Sequence, residues 1–282
     1  MRVAHPITLF PLTLTLASCG GGVLDPRGPV GAAQRIMLLD ATAIMLAVAI
    51  PVIVLTLGFA WWFRAGNRRA KYLPEWSYSG RIELVTWSIP ALLIVFLGGL
   101  AWTGTHDLDP PRPLDSASRP IEVQVVALDW RWLFIYPESG IASVNRLAIP
   151  IGVPIHFRIT SANVMNSFFI PQLGSQIYAM PGMTTQLNLM ADHEGTYRGL
   201  SAQFSGEGFS DMQFAVAAMP PDAFADWIES ARARDERLDA QTYALLARPT
   251  SARGELIFGR VETGLFDAVS GGPSQSVRHE GH

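Results

Sequence analysis

A chain of 282 residues that is 49% hydrophobic and only 16% charged carries more apolar residues than a purely soluble protein needs, and so points to the membrane. Its formal net charge of −3, with no basic run interleaved with aromatics, gives nucleic acid nothing to bind. The single cysteine, Cys19, excludes an intrachain disulfide and any centre built on two thiolates.

Residues 1–18 open with Arg2 and continue into an apolar run, 7–17, too short to span a bilayer but suited to the core of a signal peptide. The run ends Leu16-Ala17-Ser18-Cys19, ahead of Gly20-Gly21-Gly22. This tetrapeptide resembles the bacterial lipobox, and the resemblance implies that Cys19 carries a lipid such as palmitate and that everything before it is removed. A Pro- and Gly-rich spacer, residues 19–35, then leads into the apolar stretch 36–63, which is long enough for a transmembrane helix. Asp40 is expected at its interface, Pro51 at a mid-span kink, and Trp61 and Trp62 as interfacial anchors. A second span is expected over 82–104, with Pro90 inside it and His106 at its exit. The loop between them, 64–81, holds Arg64, Arg68, Arg69, Lys71 and Arg81 against one acid, Glu75. By the positive-inside rule this loop is cytoplasmic and both ends of the hairpin lie outside, the topology that a lipid on Cys19 also demands. Glu83 stands at the edge of the second span, where an ionisable side chain must snorkel, pair or line a pathway. Its neighbour Arg81 offers the pairing.

Residues 105–120 form a linker rich in Pro and Asp, after which the period changes from helical to alternating. Ile121, Val123 and Val125 alternate with Glu122 and Gln124. Val153, Ile155, Phe157 and Ile159 alternate with Pro154, His156, Arg158 and Thr160. Met212, Phe214 and Val216 alternate with Asp211 and Gln213. Turns rich in Gly and Pro at 137–140, 150–154, 171–175 and 179–184 divide these strands, so 121–218 reads as an all-β Greek-key sandwich. From Met219 the pattern shifts again. Pro220-Pro221-Asp222 signals a helix start, Phe224, Trp227, Ile228 and Ala231 mark one apolar face, and 239–247 reads as a short helix stopped by Pro249. Residues 219–266 are thus expected to be a helical extension and 267–282 a disordered Gly- and Ser-rich tail that ends in His279 and His282.

The stretch that identifies the sandwich is 197–214, YRGLSAQFSGEGFSDMQF, together with 166–183, NSFFIPQLGSQIYAMPGM. It resembles the cupredoxin domain of cytochrome c oxidase second subunits, whose dinuclear copper loop reads Cys-x-Glu-x-Cys-x-x-x-His-x-x-Met, with one more His upstream. Laid on this chain, that spacing puts Ser201 and Ser205 at the thiolates, Gln203 at the Glu, Phe209 at the His, Asn166 at the upstream His and Met212 at the Met. Two coppers that share electrons need bridging sulfurs and imidazoles, which hydroxyls and amides do not replace. The chain is therefore more similar to a sister family, the second subunits of haem–copper quinol oxidases of the cytochrome bo type, whose cupredoxin domain has lost its copper. That resemblance implies a cupredoxin-like fold, an extracytoplasmic C-terminal extension, and a place for Glu83 at the cytoplasmic mouth of a proton channel of the catalytic subunit. Trp130 and Trp132 fall where copper-bearing relatives take electrons from cytochrome c. With no copper behind them they read as packing within the domain and against the catalytic subunit.

No other residues suggest a redox or metal centre. His5 falls in the signal segment, His106 at a membrane exit, His156 on the polar face of a strand and His193 in a turn, and these four do not cluster, while His279 and His282 offer at most a stray metal ion a hold in the expected disordered tail. Met180, Met183 and Met190 read as fillers rather than ligands, and Glu207 and Asp211 as solvated acids. The expected function is that of a non-redox second subunit in a proton-pumping ubiquinol oxidase. Haems and a copper ion belong to the haem-bearing subunit I, with further small membrane subunits, the lipid bilayer and ubiquinol as the remaining partners and no nucleic acid. The expected location is the bacterial inner membrane, with the N-terminus and the C-terminal domain in the periplasm. Two other readings compete. Ser201 and Ser205 oppose a cytochrome c oxidase subunit that carries its own copper. The two spans oppose a free-standing lipoprotein with a cupredoxin-like binding domain, for which one lipid suffices.

Overall fold

The computed structural model describes residues 22–71, 73–250 and 254–271. The expected signal segment 1–18 and Cys19 lie outside the described residues, as does the end of the expected tail. The chain divides into two compact units, Ala33–Asp109 and the sequence on either side of it.

The first unit is a pair of helices, α1 (Pro29–Trp62) and α2 (Gly80–Asp107), both long and apolar enough to cross a membrane. Helix α1 begins at Pro29, well ahead of the expected Ile36, because Pro at the first helical position presets φ where no N–H is needed. Hydropathy does not see this turn, since Ala32, Ala33, Gln34 and Arg35 are good helix formers that are not strongly apolar. Helix α2 likewise starts before 82 and runs past 104 to Asp107. Hydroxyls along both helices fold back on their own backbone. Thr42 donates to the Leu38 carbonyl, Thr56 to Val52, Thr86 to Ile82, Ser88 to Leu84 and Thr105 to Ala101. Each polar side chain thereby satisfies itself without a partner from outside the helix. Gly104 makes room for Met37, whose thioether a Cβ would overlap.

The second unit is the β-sandwich. Among the described residues its strands form three sheets. The first runs β12 (Leu256–Phe258), β3 (Ile141–Val144), β2 (Trp132–Tyr136), β1 (Ile121–Ala127), β5 (Ile155–Ser161), β8 (Thr185–Leu189). The second runs β4 (Arg146–Pro150), β10 (Gln213–Met219), β9 (Gly195–Ser201), β6 (Asn166–Ile170), β7 (Gly174–Ala179), and β11 (Arg237–Leu238) pairs with β13 (Arg260–Val261) in a short ribbon. Strands β1 and β5 are parallel, as are β4 and β10, so the sandwich departs from a purely antiparallel Greek key.

Between the two large sheets lies an aromatic core. Phe168 and Phe214 stack with centroids 5.3 Å apart and planes 9° from parallel. Trp132 meets Phe168 at 5.3 Å, Phe134 meets Phe214 at 5.1 Å and Phe157 meets Phe168 at 5.3 Å. Gly199 on β9 is required here because a Cβ would lie inside the Phe214 ring. Tyr136 crosses from the first sheet to the second, where its hydroxyl donates to the Ala148 carbonyl and accepts from the Ala148 N–H, both at 2.9 Å. Strand β4 is an edge, so this phenol pairs backbone groups that no strand reaches.

The C-terminal segment carries the expected helices and adds strands to them. It contributes α3 (Pro221–Arg232), α4 (Ala240–Leu246) and α5 (Leu265–Ser270), but also β12, which pairs antiparallel with β3 and widens the first sheet. Helix α5 continues beyond 266 into the expected tail, and Asp267 on it bonds to Arg158 at 3.2 Å. A second core explains the arrangement. Leu133, Ile135, Val126 and Val144 on the outer face of the first sheet are buried under Leu238, Leu246, Phe258, Leu265 and Phe266. Each such side chain contributes on the order of 2 kcal/mol when fully covered. Helix α3 presents Phe224 and Trp227 to Tyr136, with ring centroids at 6.4 and 5.4 Å.

Burial pushes the Tyr136 phenol far above its usual range. A raised pKa means that its contribution to stability is complete below pH ~10 and is lost as pH climbs above that toward the folded-state value. Urea unfolding followed by tryptophan fluorescence should therefore show a flat stability from neutral pH to pH ~9 and a fall above pH ~10. Tyr136→Phe should cost about 1–3 kcal/mol at neutral pH by leaving the Ala148 groups unpaired. It should also shrink the alkaline loss, leaving the part due to Tyr243, pushed up to about 12 by burial, and to Tyr197.

Candidate functional site

The loop singled out in the sequence joins β9 to β10, and Asn166 opens the neighbouring strand β6. Ser201 ends β9 with its side chain buried, and its hydroxyl lies 3.0 Å from the Asn166 Oδ1, to which it donates. The Ser201 oxygen accepts from the Ser167 N–H at 3.4 Å. The Asn166 amide nitrogen in turn donates to the Val164 carbonyl at 3.0 Å. Gln203 is half-buried, and its carbonyl lies 3.3 Å from the Ser201 hydroxyl. Ser205 stands apart from this group, with its hydroxyl 3.9 Å from the buried Met212 sulfur. Phe209 begins a single 3-10 turn, Phe209–Asp211, and packs against Phe204 at 5.6 Å, leaving Phe204 71% exposed.

The structure thus brings Asn166, Ser201 and the Gln203 backbone together, pairs Ser205 with Met212, and turns Phe209 toward Phe204. As a donor set these residues do not fit a dinuclear copper centre. The hydroxyl and amide of the first group are committed to each other, and only one soft sulfur donor, Met212, is present. Among the described residues no three His, Cys, Asp or Glu side chains gather as a metal-binding group.

The two tryptophans separate. Trp132 lies wholly inside the aromatic core. Trp130 is half-buried over the loop, with φ at 68°, a left-handed value rare for a bulky residue. Its ring covers Gly208 so closely that a Cβ there would enter the indole, and its Nε1 donates to the Ser205 carbonyl at 3.4 Å. The strained backbone and the glycines of the loop are two halves of one contact. Between the tryptophans, sequence reasoning missed Arg131. It is buried at 9% exposure, donates to the Leu246 carbonyl at 2.6 Å and to the Arg248 carbonyl at 3.4 Å, and so caps the C-terminus of α4. Burial lowers the guanidinium pKa. A cation set between two tryptophans was the available signal.

The remaining candidates are dispersed. Glu83 lies exposed in the first turn of α2, where the helix dipole favours negative charge, and its N–H donates to the Ser79 carbonyl. His156 on the outer side of β5 lies 2.9 Å from the Asn188 Oδ1. Glu207 is exposed and Asp211 half-buried. Met180 and Met190 are half-buried, whereas Met183 is 53% exposed, so the reading of all three as fillers fails at Met183.

Residues 123–219 match the family described as cytochrome c oxidase subunit II, periplasmic domain. Over 258 residues the chain is 51% identical to the ubiquinol oxidase subunit 2 of Acetobacter aceti, covering 91% of this chain and 84% of that one. It is 49% identical over 263 residues to the cytochrome bo(3) ubiquinol oxidase subunit 2 of Pseudomonas aeruginosa, covering 93% and 79%. It is 46% identical over 256 residues to the corresponding subunit of Pseudomonas putida, covering 91% and 82%.

Ser201→Ala should leave the Asn166 Oδ1 and the Ser167 N–H buried without this partner, lowering the stability of the sandwich by about 1–3 kcal/mol. Urea denaturation of the detergent-solubilised chain measures this, and an unchanged midpoint would show that the hydroxyl is replaced by another partner.

Proposed function

The chain belongs to the ubiquinol oxidase subunit 2 family, and from that premise we propose that it serves its oxidase without carrying electrons itself. It is a membrane subunit of a multi-subunit oxidoreductase. The finer reading is that haems and a copper ion reside in a haem-bearing subunit I, where ubiquinol is oxidised, oxygen is reduced to water and protons are pumped. Further small membrane subunits complete the assembly. The observation that carries the proposal is the chemistry of the β9–β10 loop, where the resemblance to copper-bearing second subunits sets Ser201, Gln203, Ser205 and Phe209 against the copper ligands. A domain with hydroxyls, an amide and a phenyl ring there has no acceptor for an electron from cytochrome c. The donor must then be one that the partner meets in the membrane, a quinol.

In this reading the helical pair packs within the membrane against subunit I, and the sandwich caps the complex on the periplasmic side of the bacterial inner membrane. The basic loop between α1 and α2 supports that orientation. Glu83, placed by the same orientation at the cytoplasmic interface, supplies a carboxylate for proton uptake by the partner. Cys19 carries the lipid.

Oxygen uptake by the complex isolated on this chain, offered ubiquinol in one cell and reduced cytochrome c in the other, tests the proposal. Uptake with quinol alone is the expected result. Uptake driven by cytochrome c would overturn it, because electrons would then enter by a route that this chain does not provide. Glu83→Gln in the same assay should slow quinol-driven turnover without moving the unfolding midpoint of the sandwich. Unchanged turnover would leave Glu83 as an interfacial carboxylate only.

A further inference from the structure

The segment ahead of α1, read from sequence as a Pro- and Gly-rich spacer, is built into the sandwich. The Arg27 N–H donates to the Gln172 carbonyl at 2.7 Å and the Gly31 N–H to the Leu173 carbonyl at 2.9 Å. In return the Arg27 carbonyl accepts from the Asp192 N–H at 2.8 Å, and the Asp25 carbonyl accepts from the Gln172 side-chain amide at 3.4 Å. Gly28, Val30 and Gly31 are buried. A Cβ on Gly28 would collide with the Met190 carbonyl oxygen, and one on Gly31 would press on the Gln172 and Leu173 backbone at 3.0–3.2 Å. Gly174, at φ +118°, leaves the gap that Val30 and the Gly31 nitrogen occupy. Arg27 pairs with Asp25 at 2.9 Å.

We propose that Asp25–Gly31 is a strap, an occupant from the same chain for a groove between the β6–β7 turn and the β8–β9 turn, and that it docks and undocks as a unit separate from the sandwich. The recognition is almost wholly main chain to main chain, which explains why the segment needs glycine at 28 and 31 and tolerates proline at 26 and 29, whose missing N–H groups no bond here requires. The groove walls are turns rather than paired strands. Removing the strap therefore exposes the two turns but breaks no sheet ladder. The strap also ties the first turn of α1 to the sandwich through the Gly31 N–H and the Leu173 carbonyl.

Hydrogen exchange read by mass spectrometry on the complete chain within its purified oxidase complex tests the strap. In the unaltered protein, amides of residues 25–31 and 190–192 should exchange at least about a hundredfold more slowly than in a free peptide. Gly28→Val should raise both sets by about tenfold or more, leaving the amides of β6 and β9 as slow as before. Gln172→Ala, a gentler change that keeps every main-chain bond, should raise them less. Gly22→Val, with nothing within 4 Å of an added Cβ, should change nothing. Free exchange of 25–31 in the unaltered protein overturns the proposal, as does an unaltered pattern in Gly28→Val. A loss of protection spread evenly through β6 and β9 overturns it too, since the segment would then be an inseparable part of the sandwich.

Discussion

Strand β2 is apolar on both faces, and that constraint shapes the whole extramembrane unit. Trp132, Phe134 and Tyr136 face one way and Leu133 and Ile135 the other, all five buried. One face is covered by the second sheet through Phe168 and Phe214. The other would leave a slab of apolar surface in water, and the segment after β10 supplies most of its cover. The C-terminal extension is therefore the third layer of the fold, and β12 is the seam by which that layer joins the first sheet.

The same constraint decides what could be read from the sequence. Strands β1, β5 and β10 have one wet face, and their alternation of apolar and polar residues announced them. WLFIY, IASV and RLAIP do not alternate, because both faces are dry or edge-packed, and no period-2 signal marks them. The extension was legible as helices, since Pro221 and Asp239 are clear start signals. Its strand β12 was not, because LIF is too short to carry a period and becomes a strand only by pairing with β3. The start of α1 was missed for a related reason. Its first turn is held by the sandwich rather than by hydropathy.

At the β9–β10 loop the identity of every residue of interest was legible, whereas their grouping was not. Spacing alone treats Ser201 and Ser205 as equivalent, but the fold buries the first in a network with Asn166 and leaves the second beside a thioether. Ser201, Asn166 and Ser167 form a buried set of hydrogen bonds that ties the end of β9 to β6. Trp130 and Arg131 extend these ties. One lies on the loop and the other caps α4, so adjacent residues of one turn tie the loop to the outer layer.

The placement of β12 has a consequence for biosynthesis. Leu256 pairs with Val144 and Asp192 binds Arg27, contacts that join residues separated by more than a hundred positions and, in the second case, by the two helices. No growing chain that stops short of residue 258 holds a finished first sheet or a covered outer face. The two hydrophobic helices emerge from the ribosome long before any of this closes. Insertion into the bilayer and completion of the sandwich are thus separated in time, and the slow, long-range part of folding falls to a chain already held by its membrane helices.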